Sequence, residues 1–251
     1  MASVFLSPST QEYNPYYDGQ GNEEYYMNLL ADYMEPYLTA SGISFGRNDP
    51  NQRVSGAIAE SNAGNYDLHL ALHSNASAPS NAGGQRGIDV YYFEGSSRGK
   101  NAADIIANNL KGIYPLPDRV RAVPNRTFAE LRLTRAPAVL AELGYHDNAE
   151  DAEWLRSNLQ GVARVLAMSV AQFLNVPFKA PDNSGNVYGK GQVATGGGRL
   201  NIRDKPSLDS NVIAQAPNGA TLDLVSRDGE WYLIRRNGIE GYVFGEYVRV
   251  L

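Results

Sequence analysis

An α/β domain, built on a mixed sheet with helices on both faces and followed by a small all-β barrel, is the fold class this sequence predicts. Three observations carry it. Up to residue 178, short β-like runs alternate with amphipathic helical stretches, the pattern of a sheet flanked by helices. Residues 179–198 change character, becoming rich in Gly, Asn, Ser and Pro and poor in periodic apolar residues, as expected of a linker. From there to residue 251, brief alternating runs are separated by Asp-Gly and Asn-Gly pairs, which favour the tight turns of β-hairpins.

Taken in order, Val4, Phe5 and Leu6 read as a first strand. Residues 23–40 read as a helix, with Tyr26, Leu29, Leu30, Tyr33, Met34, Tyr37 and Leu38 near 3.6-residue spacing and Gly42 marking its end. Pro36 is an awkward residue inside it. A second helix is expected over 54–63, and the run 67–73 as a buried strand ending in the polar Ser74 and Asn75. Strands over 88–93 and 138–143 and helices over 102–113 and 151–174 complete the larger unit. In the C-terminal part, 221–225, 231–235 and 241–243 are the clearest strands. The expected organisation is therefore 1–178, a linker 179–198, and 199–251.

Composition narrows the function. With 251 residues, 43% of them hydrophobic, the chain can fill one mid-sized core and one small one. A formal net charge of −5 argues against nucleic acid as a partner, because phosphate binders need clustered Lys and Arg. There is no cysteine, so any metal must be held by His, Asp, Glu or another oxygen donor. No apolar run approaches the ~20 residues of a spanning helix, and no signal peptide is visible ahead of the first strand. The expectation is a monomeric chain without a membrane span that reaches its site of action after processing or by lysis, as from a phage or a particle.

The chain has three histidines. His73 ends an apolar strand in LHLALHSNA, and Glu142 occupies the like place in VLAELGYHDN. In open α/β sheets functional groups gather beyond the carboxyl ends of strands, and an acid after four apolar residues is costly to bury without a partner. His73 alone reads first as a satisfied structural histidine. Together, an imidazole and a carboxylate at two strand ends suit a zinc hydrolase, in which ligands hold the ion and a separate glutamate moves protons. His69 shares a strand face with His73 but sits four residues earlier, about 13 Å along a strand, and reads as a core residue or a support for the site.

Several blocks, in order, resemble the amidase-3 type N-acetylmuramoyl-L-alanine amidases: Asn62 followed by AGNYDLHLALHSNA, then GIDVYYFEG, then RTFAELRLTRAPAVLAELGYHDNAEDAEWL. The resemblance covers nearly all of residues 4–178. It implies a phosphorylase/hydrolase-like fold, a zinc cofactor and bacterial peptidoglycan as substrate, with cleavage of the amide between N-acetylmuramic acid and L-alanine in or near the cell wall. It also implies His73 as a metal ligand and Glu142 as the catalytic acid/base. Counting back from Gly42 places a second ligand at Glu23, with Glu24 one residue away as the rival. Both acids also suit a helix N-terminus without any metal.

The sequence departs from the family where a loop histidine in a motif like Asp-Pro-Gly-His-Gly-Gly is usual. Here the loop reads Ser7, Pro8, Ser9, Thr10, Gln11, Glu12, and Thr10 takes the aligned place. Catalytic zinc sites normally have three protein ligands. His146 and Glu12 are the expected replacements, ahead of Gln11, since imidazole and carboxylate are better zinc ligands than an amide oxygen. Asn75, Arg132 and Arg135 are candidates for binding substrate, although both arginines also read as solvated surface charges. Loss of the loop histidine leaves a catalytically impaired wall-binding protein open as an alternative, and a zinc peptidase acting on the stem peptide is a third.

The C-terminal segment, from GRLNIRDKPS to GEYVRVL, resembles a bacterial SH3-like domain over its whole length, which implies adhesion to peptidoglycan. Trp231 and Tyr242 read as core packing before ligand platform.

Overall fold

The computed structural model describes residues 2–181 and 189–251. The chain divides into two compact units at residue 181, each with its own core. The expected linker, 179–198, falls partly outside the described residues, at 182–188. Its remainder is more ordered than composition suggested, because Gly189–Val193 is a strand of the second unit.

The first unit runs β1 (Ser3–Pro8), α1 (Glu23–Ala40), β2 (Ser44–Arg47), α2 (Val54–Ala63), β3 (Leu68–Asn75), β4 (Ile88–Phe93), α3 (Ser97–Leu110), β5 (Val120–Asn125), α4 (Ala129–Leu133), β6 (Ala138–Tyr145) and α5 (Ala149–Phe173). The six strands form one sheet in the order β2-β1-β3-β6-β4-β5. All neighbours are parallel except β4 and β6, which are antiparallel. Pro36 does not break α1, because it lies on the exposed side of the helix, where the carbonyl it leaves without a donor can turn to water.

Side chains on a strand alternate between faces, and the two faces here are covered unequally. Val4, Leu6, Leu68, Leu70, Leu72, Val139 and Leu143 point into the main core against Met27, Leu30 and Met34 of α1, Ile106 of α3 and Leu155, Leu159 and Leu166 of α5. Burying each of these large side chains contributes roughly 1.5–3 kcal/mol. On the opposite face, Ala71, Ala138 and Leu140 meet only Leu131 and the rings of Tyr91, Phe93 and Phe128, and its helices are the short α2 and α4. His69 and His73 share that face with Ala71, and Glu142 shares it with Leu140. The polar residues of the two central strands are thus set on the thinly covered side.

The second unit adds β7 (Gly189–Val193), β8 (Arg199–Arg203), β9 (Val212–Pro217), β10 (Thr221–Asp228), β11 (Trp231–Arg236), β12 (Ile239–Phe244) and β13 (Val248–Val250), in an all-antiparallel sheet ordered β13-β7-β10-β11-β12-β8-β9. Its core is Val193, Leu200, Ile202, Leu222, Leu224, Tyr232, Ile234 and Val243. Asn237 and Gly238 both have positive φ (51° and 76°), so the Asn-Gly pair makes the two-residue hairpin turn its sequence favours. Trp231 is 8% exposed and packs edge-on against Phe244, with ring centroids 5.3 Å apart. Among the described residues, no helix of the chain is long and apolar enough to cross a membrane.

Candidate active site

A cleft of about 890 Å³ opens on the thinly covered face of the first sheet, lined by the loop Ser7–Tyr13, the loop entering α2, and His73, Glu130 and Glu142. Three elements converge there. Asn22 caps α1 by accepting from the Tyr25 N–H, so the helix begins at Glu23 and turns that side chain inward, 1% exposed. Strands β3 and β6 run parallel with His73 opposite Glu142. Residues far apart in sequence therefore meet within one turn of helix and one rung of sheet.

His73 Nδ1 and Glu23 Oε1 lie 2.8 Å apart. The other Glu23 oxygen accepts from Asn14 Nδ2 at 2.6 Å. Behind the ring, His73 Nε2 is 3.4 Å from Glu130 Oε2, while Glu130 Oε1 is 3.1 Å from His69 Nε2 and accepts from the Ser7 hydroxyl. Burial disfavours charge on both His73 and Glu130, yet their mutual pairing outweighs it. The imidazole is held well above its usual pKa by Glu130 and Glu23, and Glu130 is held far below the carboxylate range by His69 and His73. Glu23 is also lowered, chiefly through His73 and then Asn14, against the opposing effect of burial.

Glu142 behaves oppositely. The residue keeps some contact with the cleft, but its Oε2 is buried without a hydrogen-bond partner. Burial pushes its pKa up to about 7; His73 opposes the rise, while Glu23, Asp89 and Glu130 add to it. Two carboxyl groups in one cleft are thus driven apart, one firmly ionised and one able to take up and release a proton near neutrality, the separation that acid/base chemistry needs.

The other expected residues are placed differently. Glu24 lines the cleft, but its carboxylate accepts from Asn28 Nδ2 at 3.0 Å. Glu12 lies at the rim with its side chain exposed. His146 is buried below the loop: its Nδ1 lies 2.9 Å from the Ser74 carbonyl oxygen and 3.1 Å from Ser74 Oγ, and its ring stacks on Tyr16. Its Nδ1 is thus held by Ser74, and it makes no contact with the Glu23 and His73 pair. Among the described residues, no three His, Asp or Glu side chains group as metal ligands. Besides Asn14, the loop residue Gln11 reaches the pair, with Nε2 3.4 Å from Glu23 Oε1 and 3.5 Å from His73 Nδ1.

Asn75 uses its Oδ1 locally, on the Ala76 N–H. Arg135 donates to the Asn62 carbonyl, and neither it nor Arg132 lines the cleft. The arginine that does is Arg53, at the start of α2; its position in a polar loop carried no sequence signal. Glu130 also went unmarked, because one acid in a five-residue helix reads as surface charge until its burial is known.

The family model described as N-acetylmuramoyl-L-alanine amidase matches residues 12–172, and the bacterial SH3 domain model matches residues 198–249. The chain is 29% identical over 203 residues to the N-acetylmuramoyl-L-alanine amidase CwlM of Bacillus licheniformis, covering 80% of this chain and 71% of that protein. It is 30% identical over 114 residues to the probable cell wall amidase LytH of Staphylococcus aureus, covering 45% of this chain and 36% of that one. Among solved structures, the catalytic domain of the amidase CwlV from Bacillus (Paenibacillus) polymyxa superposes with a TM-score of 0.60 at 20% identity, over 70% of this chain and all of that one, a likeness of fold.

Proposed function

The chain belongs to the N-acetylmuramoyl-L-alanine amidase family, peptidoglycan hydrolases, and from that premise we propose that it cleaves the muramoyl-L-alanine amide with Glu142 as general base and acid and with zinc held by Glu23 and His73. The observation that carries this reading is the buried, unpartnered Oε2 of Glu142 beside the Glu23 and His73 pair. A carboxylate oxygen and an imidazole nitrogen are donors of the kind zinc takes, two where a catalytic site usually has three, with Gln11 and Asn14 beside them. Zinc in such a place supplies Lewis acidity toward a carbonyl and a water.

The protein's own groups do the rest. Glu142 Oε2 accepts the proton of the attacking water and returns it to the amine nitrogen of L-alanine as the C–N bond breaks. Glu130 and Asn14 keep His73 and Glu23 in place. The polar walls, from Asn48 to Arg53 on one side and Gln11 to Tyr13 on the other, are suited to sugar hydroxyls and peptide groups.

Purified peptidoglycan incubated with the protein is expected to yield new L-alanine amino termini on otherwise intact stem peptides. Cuts within the stem peptide mark a peptidase instead, and no product marks a binding protein with a disabled site. Dialysis against a chelator is expected to abolish turnover and added zinc to restore it, with mild chelation sufficient, since the site offers two strong protein ligands where three are usual. Chelator-insensitive cleavage refutes the metal reading.

The second unit is proposed to hold the enzyme on the wall. A tether raises the local concentration of substrate without touching the reaction. Removing residues 182–251 is expected to lower the fraction of protein sedimenting with insoluble walls at least several-fold, while leaving turnover of soluble muropeptides within about twofold. Equal sedimentation of the two forms counts against the tether.

A further inference from the structure

In the first unit Arg47, Arg86, Arg121, Arg126 and Arg156 are each held by a carboxylate. Arg53 is not. Its side chain is exposed at the wall of the cleft, and among the described residues its guanidinium has no ion pair or hydrogen bond. The acids nearest to it in the chain are already occupied. Asp49 Oδ1 accepts from the backbone N–H and the side-chain amide of Asn51, both at 2.9 Å. Glu60 accepts from the Asp49 N–H at 3.1 Å and from Gln52 Nε2 at 3.0 Å. These bonds fix the loop that carries Arg53 without neutralising its charge.

Two further features belong to the same wall. Helix α2 begins directly after Arg53 with no side-chain cap and no acid in its first turn, so the partial positive charge of its N-terminus stays unopposed. At the other end of the loop, Asn48 is 3% exposed, and its Nδ2 donates to the Pro8 carbonyl at 3.3 Å, which settles which side-chain atom is the oxygen. That oxygen, Oδ1, is buried with no partner, in a residue that lines the cleft. A buried acceptor left unpaired is costly, and a donor brought in by a ligand removes the cost. One wall therefore offers an acceptor for an N–H and, along the same loop, a cation and a helix N-terminus for an anion.

We infer that this wall recognises the stem peptide: Asn48 Oδ1 accepts from the peptide N–H beyond L-alanine, and Arg53 pairs with the α-carboxylate of the acidic residue that follows. A sugar hydroxyl can supply the donor but not the negative charge, so the glycan alone does not match the wall. In peptidoglycan the acidic residue is a D-glutamate linked through its γ-carboxyl, and its α-carboxyl is free in some walls and amidated in others. Arg53 thereby makes the enzyme selective for the free acid. This rests on the amidase reading given above, which it deepens by naming the class of stem peptide, and it involves no metal.

The full chain is assayed on two soluble muropeptides that differ only in whether the D-glutamate α-carboxyl is free or amidated, as wild type, Arg53→Gln and Arg53→Lys. Wild type is expected to favour the free acid about five- to tenfold in kcat/KM, and to do so through KM, because the pairing is made alike in the ground and transition states. Arg53→Gln is expected to bring the two muropeptides within about twofold of each other, and Arg53→Lys to keep part of the preference, since it keeps the charge but loses the fork. Equal use of the two by the wild type, or a preference that survives Arg53→Gln, overturns the inference and leaves the amidase reading standing. Turnover of neither by the wild type overturns that reading, and a second measurement then decides the wall by itself. Calorimetric titration of Glu142→Gln with the same muropeptides needs no reaction; it is expected to show the same preference for the free acid, abolished when Arg53→Gln is added. Equal binding of the two forms by Glu142→Gln overturns the role of Arg53 whatever the chemistry of the site.

Discussion

Replacing Glu142 by Gln is expected to cut hydrolysis of peptidoglycan by 10²–10⁴-fold, the usual range for a positioned general acid/base, and at the same time to stabilise the protein above neutral pH. The two effects share one cause. The Glu142 carboxyl is pushed to about pKa 7 by burial, against an ordinary value near 4.5, so holding it ionised in the folded state costs roughly 3–4 kcal/mol. A group whose folded pKa is raised binds its proton more tightly in the native chain than in the unfolded one. Between about pH 4.5 and pH 7, stability from this residue therefore falls as pH rises. The amide of Gln carries no such penalty, so the gain in Glu142→Gln is expected to be full above pH 7 and to vanish toward pH 4.5. Urea unfolding at pH 8 and pH 5, alongside turnover at pH 8, measures both. Destabilisation at pH 8, or turnover within tenfold of wild type, removes Glu142 from the chemistry proposed for it. Catalytic acids held in an unfavourable state are a recurrent source of such opposition between stability and activity.

How much of this was legible in the sequence depends on whether a feature is local. The ends of α1, α2 and β4 follow from caps, periodicity and punctuation within a few residues, and the Asn-Gly hairpin of the second unit follows from two. Strands β2 and β5 were not legible. Ser44–Arg47 is four residues long and sits at a sheet edge, and Val120–Asn125 contains Pro124, which reads as a strand breaker unless the strand is known to lie at an edge. For the site, the strand ends at His73 and Glu142 announce themselves because polar residues terminate apolar runs. The buried groups behind His73 do not, since Ser61, His69 and Glu130 meet only when α2 and α4 are folded onto the sheet. The same reasoning explains His146. Its chemistry suits a ligand, but the bend after Gly144, with φ of +98°, and the contact with Ser74 send it under the loop.

Asp151→Ala is expected to destabilise the first unit by roughly 3–5 kcal/mol, the range for removing one partner of a buried ion pair, although Asp151 lies outside the cleft. Asp151 is fully buried in the first turn of α5, where a negative charge also suits the helix N-terminus. Its Oδ1 accepts from Arg86 Nε at 2.9 Å and from the Tyr114 hydroxyl at 2.7 Å, and its Oδ2 accepts from the backbone N–H of Gly87 at 3.0 Å and of Tyr145 at 3.1 Å. Four donors from the start of β4, the segment after α3 and the end of β6 thus depend on one carboxylate. Removing it leaves two backbone N–H groups without their acceptor and Arg86 without its buried partner. For a unit of this size the loss corresponds to a fall in melting temperature of roughly 6–20 °C. Tyr145 closes the strand that carries Glu142 three residues earlier, so the clamp fixes the end of β6 beyond the cleft. At temperatures where Asp151→Ala remains folded, KM for soluble muropeptides is expected to change less than kcat, because the cleft walls are untouched while the strand holding the base is loosened. A destabilisation below about 1 kcal/mol in urea unfolding shows instead that water replaces the lost acceptor, and the clamp then has no claim on the geometry of the site.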